Sequence, residues 1–267
     1  MDNELKQKLE QSENFKEMQK KLDNYFKDWK PKTKCIVVGS SPSLSWYDFG
    51  KYIDRHEIVV RVNRCFSKGT RSNTGKKINI WATTNNDRWE ESKGKYYNPI
   101  RKHTEELWLR TPRTESQMRR NGTLSLDDDR NQSGYRNYLP CGTQSVKIQW
   151  LRGKSKKLST GNNNILDGIR GIGTGLLTLD KAIYHFGEIT TIGNTFYLES
   201  LDGKCYVMGQ DSEDGEHKKN RRQHHGGDRW GLKSLEHVLK WKRDGKLSLL
   251  NPWEYDNLRS SALWEIR

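Results

Sequence analysis

Three short segments carry the residue types best suited to holding a charged ligand. Gly39-Ser40-Ser41 follows the apolar run Cys35 to Val38. Arg61-Val62-Asn63 ends the run that starts at Glu57, and Gly173-Thr174-Gly175 opens a helical pattern. Each pairs a small residue or a turn with a hydroxyl or amide donor. A small residue lets a ligand approach backbone N–H groups, and a helix N-terminus attracts phosphate. Taken singly, a glycine after a strand is as well explained by a simple turn. Histidines gather late in the chain, at His217, His224, His225 and His237. An imidazole titrating near neutrality suits a general base that deprotonates a hydroxyl. An exposed position in a Lys- and Arg-rich loop is the competing reading. Asp127-Asp128-Asp129 lies in an irregular, Arg-flanked segment rather than after an apolar strand. That context favours a solvated loop over a metal site.

The elements that must position these residues alternate. Residues 1–30 carry Leu5, Leu9, Phe15, Met18, Leu22, Tyr25 and Trp29 at helical spacing, and Pro31 follows. This predicts one amphipathic helix packed on the core, with membrane-surface contact or oligomerisation as the alternative. Apolar runs at 35–38, 57–62, 77–82, 106–109 and 188–192 read as buried parallel strands. Helical or loop segments separate them, which predicts βαβ units. Segments 113–162 read as long loops and short helices. Helices follow Gly173 and run through Leu232 to Trp241. The reading is an α/β fold, a mostly parallel Rossmann-like sheet flanked by helices. Its parts are an N-terminal helix (1–30) and a catalytic domain (31–267). Ligands of such sheets sit outside the carboxyl ends of the strands, where the three segments fall.

Composition narrows the function classes. The 267 residues carry a formal charge of +14, spread along the chain in stretches such as 16–34, 117–120, 152–157 and 218–222. Nucleic acid, an anionic membrane or an anionic substrate would each suit that charge, as would a merely solvated surface. No helix-turn-helix, zinc finger or RRM signature is present, and there is no Walker A loop or GxGxxG after the first strand. Cys35, Cys65, Cys141 and Cys205 form no CxxC pair, which argues against a zinc ribbon. They would be thiols in a reducing compartment and could pair in an oxidising one. The chain has no apolar run of about 18 residues and no signal-peptide core at its start. A cytoplasmic protein is expected, unless an anchor precedes this sequence.

Together these segments resemble the sialyltransferases of glycosyltransferase family 29. CIVVGSSPSLSWYDFGKYIDRHEIVVRVNRC at 35–65 is similar to the family's large sialylmotif, matching at Cys35, Gly39, Ile53-Asp54, His56, Arg61 and Asn63. GIGTGLLTLDKAIYHFGEITTIGNTFY at 171–197 resembles the small sialylmotif. HHGGDRWGLKSLEHVLKWKRDGKLSLL at 224–250 resembles the last motif, a catalytic His with a downstream Glu. The resemblance implies a variant of the GT-A architecture and an inverting, metal-independent transfer of sialic acid from a CMP-sugar donor. The acceptor would be a glycan or a lipopolysaccharide-like sugar, with no nucleic-acid partner and no cofactor besides the donor. It implies that Gly39, Ser40 and Ser41 approach the cytidine monophosphate and that Asn63 donates to phosphate or ribose. Thr174 and Gly175 would hold the donor's carboxylate or ring, with Asn194 in the same donor-binding set. His225 or His224 would be the base, with His217 also a candidate. The same resemblance leaves transfer of the related acid sugar Kdo open, as well as an inactive relative. If an anchor precedes the sequence, it points to the Golgi lumen.

Four departures stand out. Ser40 occupies a position where the family usually has Asn, and the small motif lacks its Cys. His225 lies further from Glu236 than the family spacing, and the family's separate His-aromatic motif is poorly matched around His217.

Overall fold

The computed structural model describes residues 13–62, 71–83, 104–109, 124–126, 136–140, 146–150, 165–166, 169–170, 173–194, 196 and 228–255. The chain opens with helix α1 (Glu13–Phe26), then strand β1 (Cys35–Val38), a 3-10 helix (Pro42–Trp46) and the short helix α2 (Gly50–Ile53). Strand β2 (Ile58–Val62), helix α3 (Arg71–Thr74) and strands β3 (Ile80–Thr83) and β4 (Glu106–Leu109) follow. Next come β5 (Leu124–Leu126), β6 (Arg136–Pro140), β7 (Val146–Trp150), β8 (Ile165–Leu166) and β9 (Ile169–Arg170). Helix α4 (Thr174–Phe186), strand β10 (Ile189–Ile192), helix α5 (Asp228–Arg243) and strand β11 (Leu247–Leu249) complete the set.

The main sheet has nine strands in the order β11-β10-β1-β2-β3-β4-β7-β6-β5. Pairing is parallel from β11 through to β7 and antiparallel for β7-β6 and β6-β5. Strands β8 and β9 form a separate antiparallel pair. The α/β reading with a mostly parallel sheet therefore holds.

The all-apolar sequence of β1 follows from burial on both faces. Cys35 and Val37 join one core with Val60 and Val62 of β2, Leu176 and Leu179 of α4, and Leu235, Val238 and Trp241 of α5. Ile36 and Val38 alternate onto the other face, against Met18, Leu22 and Phe26 of α1 and Phe49 and Ile53 around α2. The apolar stripe of α1 is thus buried in the core, as the packing reading requires. The helix ends at Phe26, short of Pro31. Trp29 packs onto Phe26, Tyr52 and His56, with ring centroids 5.7, 5.6 and 5.6 Å away. The first twelve residues of the expected helix lie outside the described residues.

One expectation is corrected, and one strand is found where the sequence reading assigned no element. Segment 113–162 contains β5, β6 and β7 where loops and short helices were expected. Val146-Lys147-Ile148-Gln149-Trp150 alternates apolar and polar residues, a strand period hidden by the polar segments around it. The stretch after α5 is also a strand, β11, hydrogen-bonded in parallel to β10. Among the described residues no helix is long and apolar enough to cross a membrane.

Candidate active site

The strand order reverses direction at β1. From β1 the chain moves outward to β2, whereas β10, on the other side of β1, leads on to β11 at the far edge. The loops leaving the carboxyl ends of β1 and β10 therefore start from one corner of the sheet and run on to different neighbours. That switch point is where open α/β sheets bind ligands. Val38 pairs with Ile192, so Gly39 and Gly193 are the first residues beyond the sheet on either side.

The two turns touch through backbone. Gly39 N–H donates to the Ile192 carbonyl at 2.8 Å and Ser41 N–H to the Gly193 carbonyl at 3.0 Å. A Cβ on Gly39 would collide with the Gly193 carbonyl and stand 2.7 Å from Asn194 Oδ1. Gly193 has φ +74, and a Cβ there would lie 2.9 Å from Leu44. Glycine is required at both places, at one for space and at the other for conformation as well. Ser41 caps the 3-10 helix, its hydroxyl accepting from Ser43 N–H at 3.2 Å.

Helix α4 enters the same corner. Its N-cap is Gly173, which has no side chain to cap the first turn. Thr174 is buried, and a Cβ on Gly175 would stand 3.0 Å from Asn194 Oδ1. The N–H groups of that turn have no partner within the helix and carry its positive end.

Asn194 is buried and largely committed internally. Its amide donates to Thr191 Oγ1 at 2.8 Å and to the Ile192 carbonyl at 3.3 Å. Thr191 in turn donates to the Val37 carbonyl at 3.0 Å, so Asn194 ties β10 to β1. The structure brings Gly39, Ser40, Ser41, Thr174, Gly175 and Asn194 to one end of the sheet. Asn63, His217, His224 and His225 lie outside the described residues, as does Asp127-Asp128-Asp129. Glu236, the candidate partner of the base, is half-exposed and pairs with Lys233 at 2.9 Å.

Arg61 is a correction. It was grouped with Asn63 as a ligand-binding loop, but it is fully buried on the α1 and α2 face. Strand alternation explains this, because Val60 and Val62 point to the opposite core. Arg61 Nε donates to the Lys77 carbonyl at 2.8 Å, and a terminal nitrogen lies 4.0 Å from Asp54. Asp54 accepts from Lys76 N–H at 2.8 Å and Lys77 N–H at 2.9 Å. Lys77 Nζ donates to the His56 carbonyl at 2.6 Å. Within 35–65, then, Asp54, His56 and Arg61 brace the entry to β3 while Gly39 to Ser43 form the corner against the Gly193 turn. Cys35 is a free thiol buried between β1 and its neighbours, and burial pushes its pKa upward.

The model of glycosyltransferase family 29 (sialyltransferase) matches residues 2–162. The chain belongs to glycosyltransferase family 29. The matched span contains the 35–65 stretch, and the 171–197 and 224–250 stretches lie beyond it. A crystal structure of a mammalian sialyltransferase is 14% identical with a TM-score of 0.49, covering 91% of this chain and 82% of that one. A mammalian sialyltransferase in complex with Gal-beta-1-3GalNAc-ortho-nitrophenol is 15% identical with a TM-score of 0.50. It covers 94% of this chain and 86% of that one. At that identity the likeness to the second structure shows the fold alone. Among curated proteins nothing matches the chain. The protein is thus a sialyltransferase-family glycosyltransferase built on a parallel α/β sheet.

Sequence reading missed three residues of this corner. Ser43 and Glu254 are fully buried behind the two turns, and Tyr255 beside them is buried as well. Glu254 follows Pro252 and Trp253 and precedes Tyr255. An acid between aromatics after an apolar strand is the one signal that hinted at its burial.

Proposed function

We propose that this family member transfers sialic acid, or a related keto-acid sugar, from a CMP-sugar donor to a glycan hydroxyl with inversion. The observation that carries this reading is the meeting of the Gly39–Ser41 turn, the Gly193 turn and the N-terminus of α4 at the switch point. That corner offers the N–H groups of the first turn of α4 and its helix dipole to an anionic nucleotide. The acceptor oxygen attacks the anomeric carbon as the bond from that carbon to the phosphate oxygen breaks, and its electron pair leaves with CMP. The acceptor proton passes to His225 or His224. Negative charge grows on the phosphate, where oriented dipoles lower the barrier most.

Calorimetric titration of CMP and CTP against the wild type and Asn63→Ala tests the donor pocket. Saturable CMP binding that weakens in the variant supports it. Failure to bind at millimolar CMP overturns it and favours a basic surface for nucleic acid. His225→Ala and His224→Ala should separate the base from its neighbour, the base variant losing about 100-fold or more in turnover. Turnover should persist in a chelator, since the proposed chemistry calls for no metal. CMP-sialic acid and CMP-Kdo, assayed side by side, decide between the two donor sugars.

A further inference from the structure

The two turns of the corner are held by a residue far from both in sequence. Glu254 stands in the turn after β11, formed where Glu254 N–H donates to the Asn251 carbonyl at 3.1 Å. Its Oε1 accepts from the Ser43 hydroxyl at 2.6 Å and from Gly193 N–H at 2.7 Å. The Ser43 and Ser41 hydroxyl oxygens are 3.1 Å apart, and Ser41 N–H returns to the Gly193 carbonyl at 3.0 Å. The contacts form a closed ring of Glu254, Ser43, Ser41 and Gly193. The neighbouring Tyr255 hydroxyl donates to the Asn194 carbonyl at 3.4 Å, so the same turn grips both residues that follow β10.

A brace alone does not call for an acid here. Oε2 is buried and has no hydrogen-bond partner among the described residues. A carboxyl in that state favours its neutral form. We propose that Glu254 is a positioning residue for the donor pocket. It fixes the Gly193 amide and the Ser41–Ser43 turn through Oε1 and carries a proton on Oε2 when an anionic phosphate occupies the corner. This rests on the donor reading above. Burial, set against the two hydrogen bonds, pushes the Glu254 pKa up to about 7. The residue therefore exchanges its proton in the range where the enzyme would work. The ionisable side chain facing it among the described residues is Tyr255, which burial and the Glu254 charge hold as a neutral phenol. Ser43 and Gly193, the other groups against it, carry no charge. A phosphate arriving beside an ionised Glu254 raises its proton affinity, so binding takes up a proton.

The test is CMP titration by calorimetry in two buffers of unlike ionisation heat at pH 7, on wild type, Glu254→Gln and Glu254→Ala, with circular dichroism to confirm folding. The wild type should take up as much as about half a proton more than Glu254→Gln. The proton that CMP itself gains cancels in that difference. Glu254→Gln keeps the acceptor and should bind within threefold of wild type, whereas Glu254→Ala should bind roughly tenfold more weakly. Folded variants that bind CMP like wild type with the same proton count overturn the proposal and leave the donor reading standing. If Glu254→Ala does not fold, the proton count of Glu254→Gln decides alone. A wild type that does not bind CMP removes the donor reading, and the proposal with it.

Discussion

Gly39 to Ser43 and Asp54 to Arg61 come from one short stretch of sequence, yet they differ in almost every physical respect. The first group works with backbone and small side chains, and its glycine is fixed by the bare contact with Gly193. The second works with charged or ring side chains: buried Arg61 and half-exposed Asp54 turn toward the Lys77 carbonyl and the Lys76 and Lys77 amides, and the buried His56 ring faces the Tyr52 and Ile53 carbonyls. Whether two polar residues recognise a ligand or hold a sheet depends on which end and which face of the strand they occupy. Residue type alone does not decide it.

The largest effect expected from this contrast is Gly39→Ala. The added methyl forces the β1 and β10 turns apart, a strain of about 3 kcal/mol concentrated on the corner proposed to receive the donor. CMP binding and transfer should fall by about 100-fold or more, while far-ultraviolet circular dichroism stays close to wild type. Retained CMP affinity in the variant would remove Gly39 from the pocket and end the comparison as drawn.

The two groups should also answer pH in opposite senses. At the corner, the folded-state pKa of Glu254 is raised from 4.5 to about 7. The folded state holds a proton that the unfolded chain has released, so its contribution to stability falls as pH rises from about 4.5 to 7, by about 3 kcal/mol. In the brace, His56 Nδ1 lies 3.2 Å from the Tyr52 and Ile53 carbonyls, both acceptors, so Nδ1 carries the hydrogen. A second proton would have to sit on Nε2, which is buried and has no hydrogen-bond partner among the described residues. Burial accordingly lowers the His56 pKa from 6.5. Its contribution is complete above 6.5 and is lost as pH falls toward the folded value. In the wild type the two slopes oppose each other across the acid range. Thermal melts from pH 4.5 to 7.5 should show Glu254→Gln gaining stability with rising pH and His56→Asn losing it. Parallel curves for both variants would mean that neither group is the one that titrates.

Asp54→Ala should act on stability alone. It leaves Lys76 and Lys77 N–H without their acceptor and should lower stability by about 2 kcal/mol, seen in urea unfolding. CMP affinity at a temperature where the variant is folded should change less than twofold. A large loss of affinity would merge the two groups into one functional unit.

The fold was readable where a single physical rule dominated. Cys35 to Val38 is apolar throughout because both faces of β1 are covered, and Met18, Leu22 and Phe26 mark one helix face. Strands β5 to β7 were missed because their alternation is short and lies among Arg, Asn and Lys, so that local composition outweighed period. At the site, Gly39 and Gly175 were legible as small residues at element ends. Arg61 was misread because a buried arginine and a ligand-binding one look alike until the strand face is known. The role of Glu254 was hidden for a different reason: its partners, Ser43 and Gly193, are 211 and 61 residues away in sequence. A hydrogen-bond ring closed by topology leaves no local pattern.

The smallest expected effect tests how far the corner half of the comparison reaches. Ser40 is half-buried between Gly39 and Ser41, at the position where the resemblance to the large sialylmotif implies Asn. Serine offers one hydroxyl there, while asparagine adds an amide donor on a longer arm. If the turn faces the nucleotide, Ser40→Asn should tighten CMP about three- to tenfold, one added hydrogen bond contributing about 1 kcal/mol. Thermal stability should hardly move, since the residue is not part of the Glu254 ring. Unchanged affinity in Ser40→Asn, together with a strong loss in Gly39→Ala, would take the side chain at position 40 out of recognition. The turn would then act by shaping the corner, and the first turn of α4 would hold the phosphate.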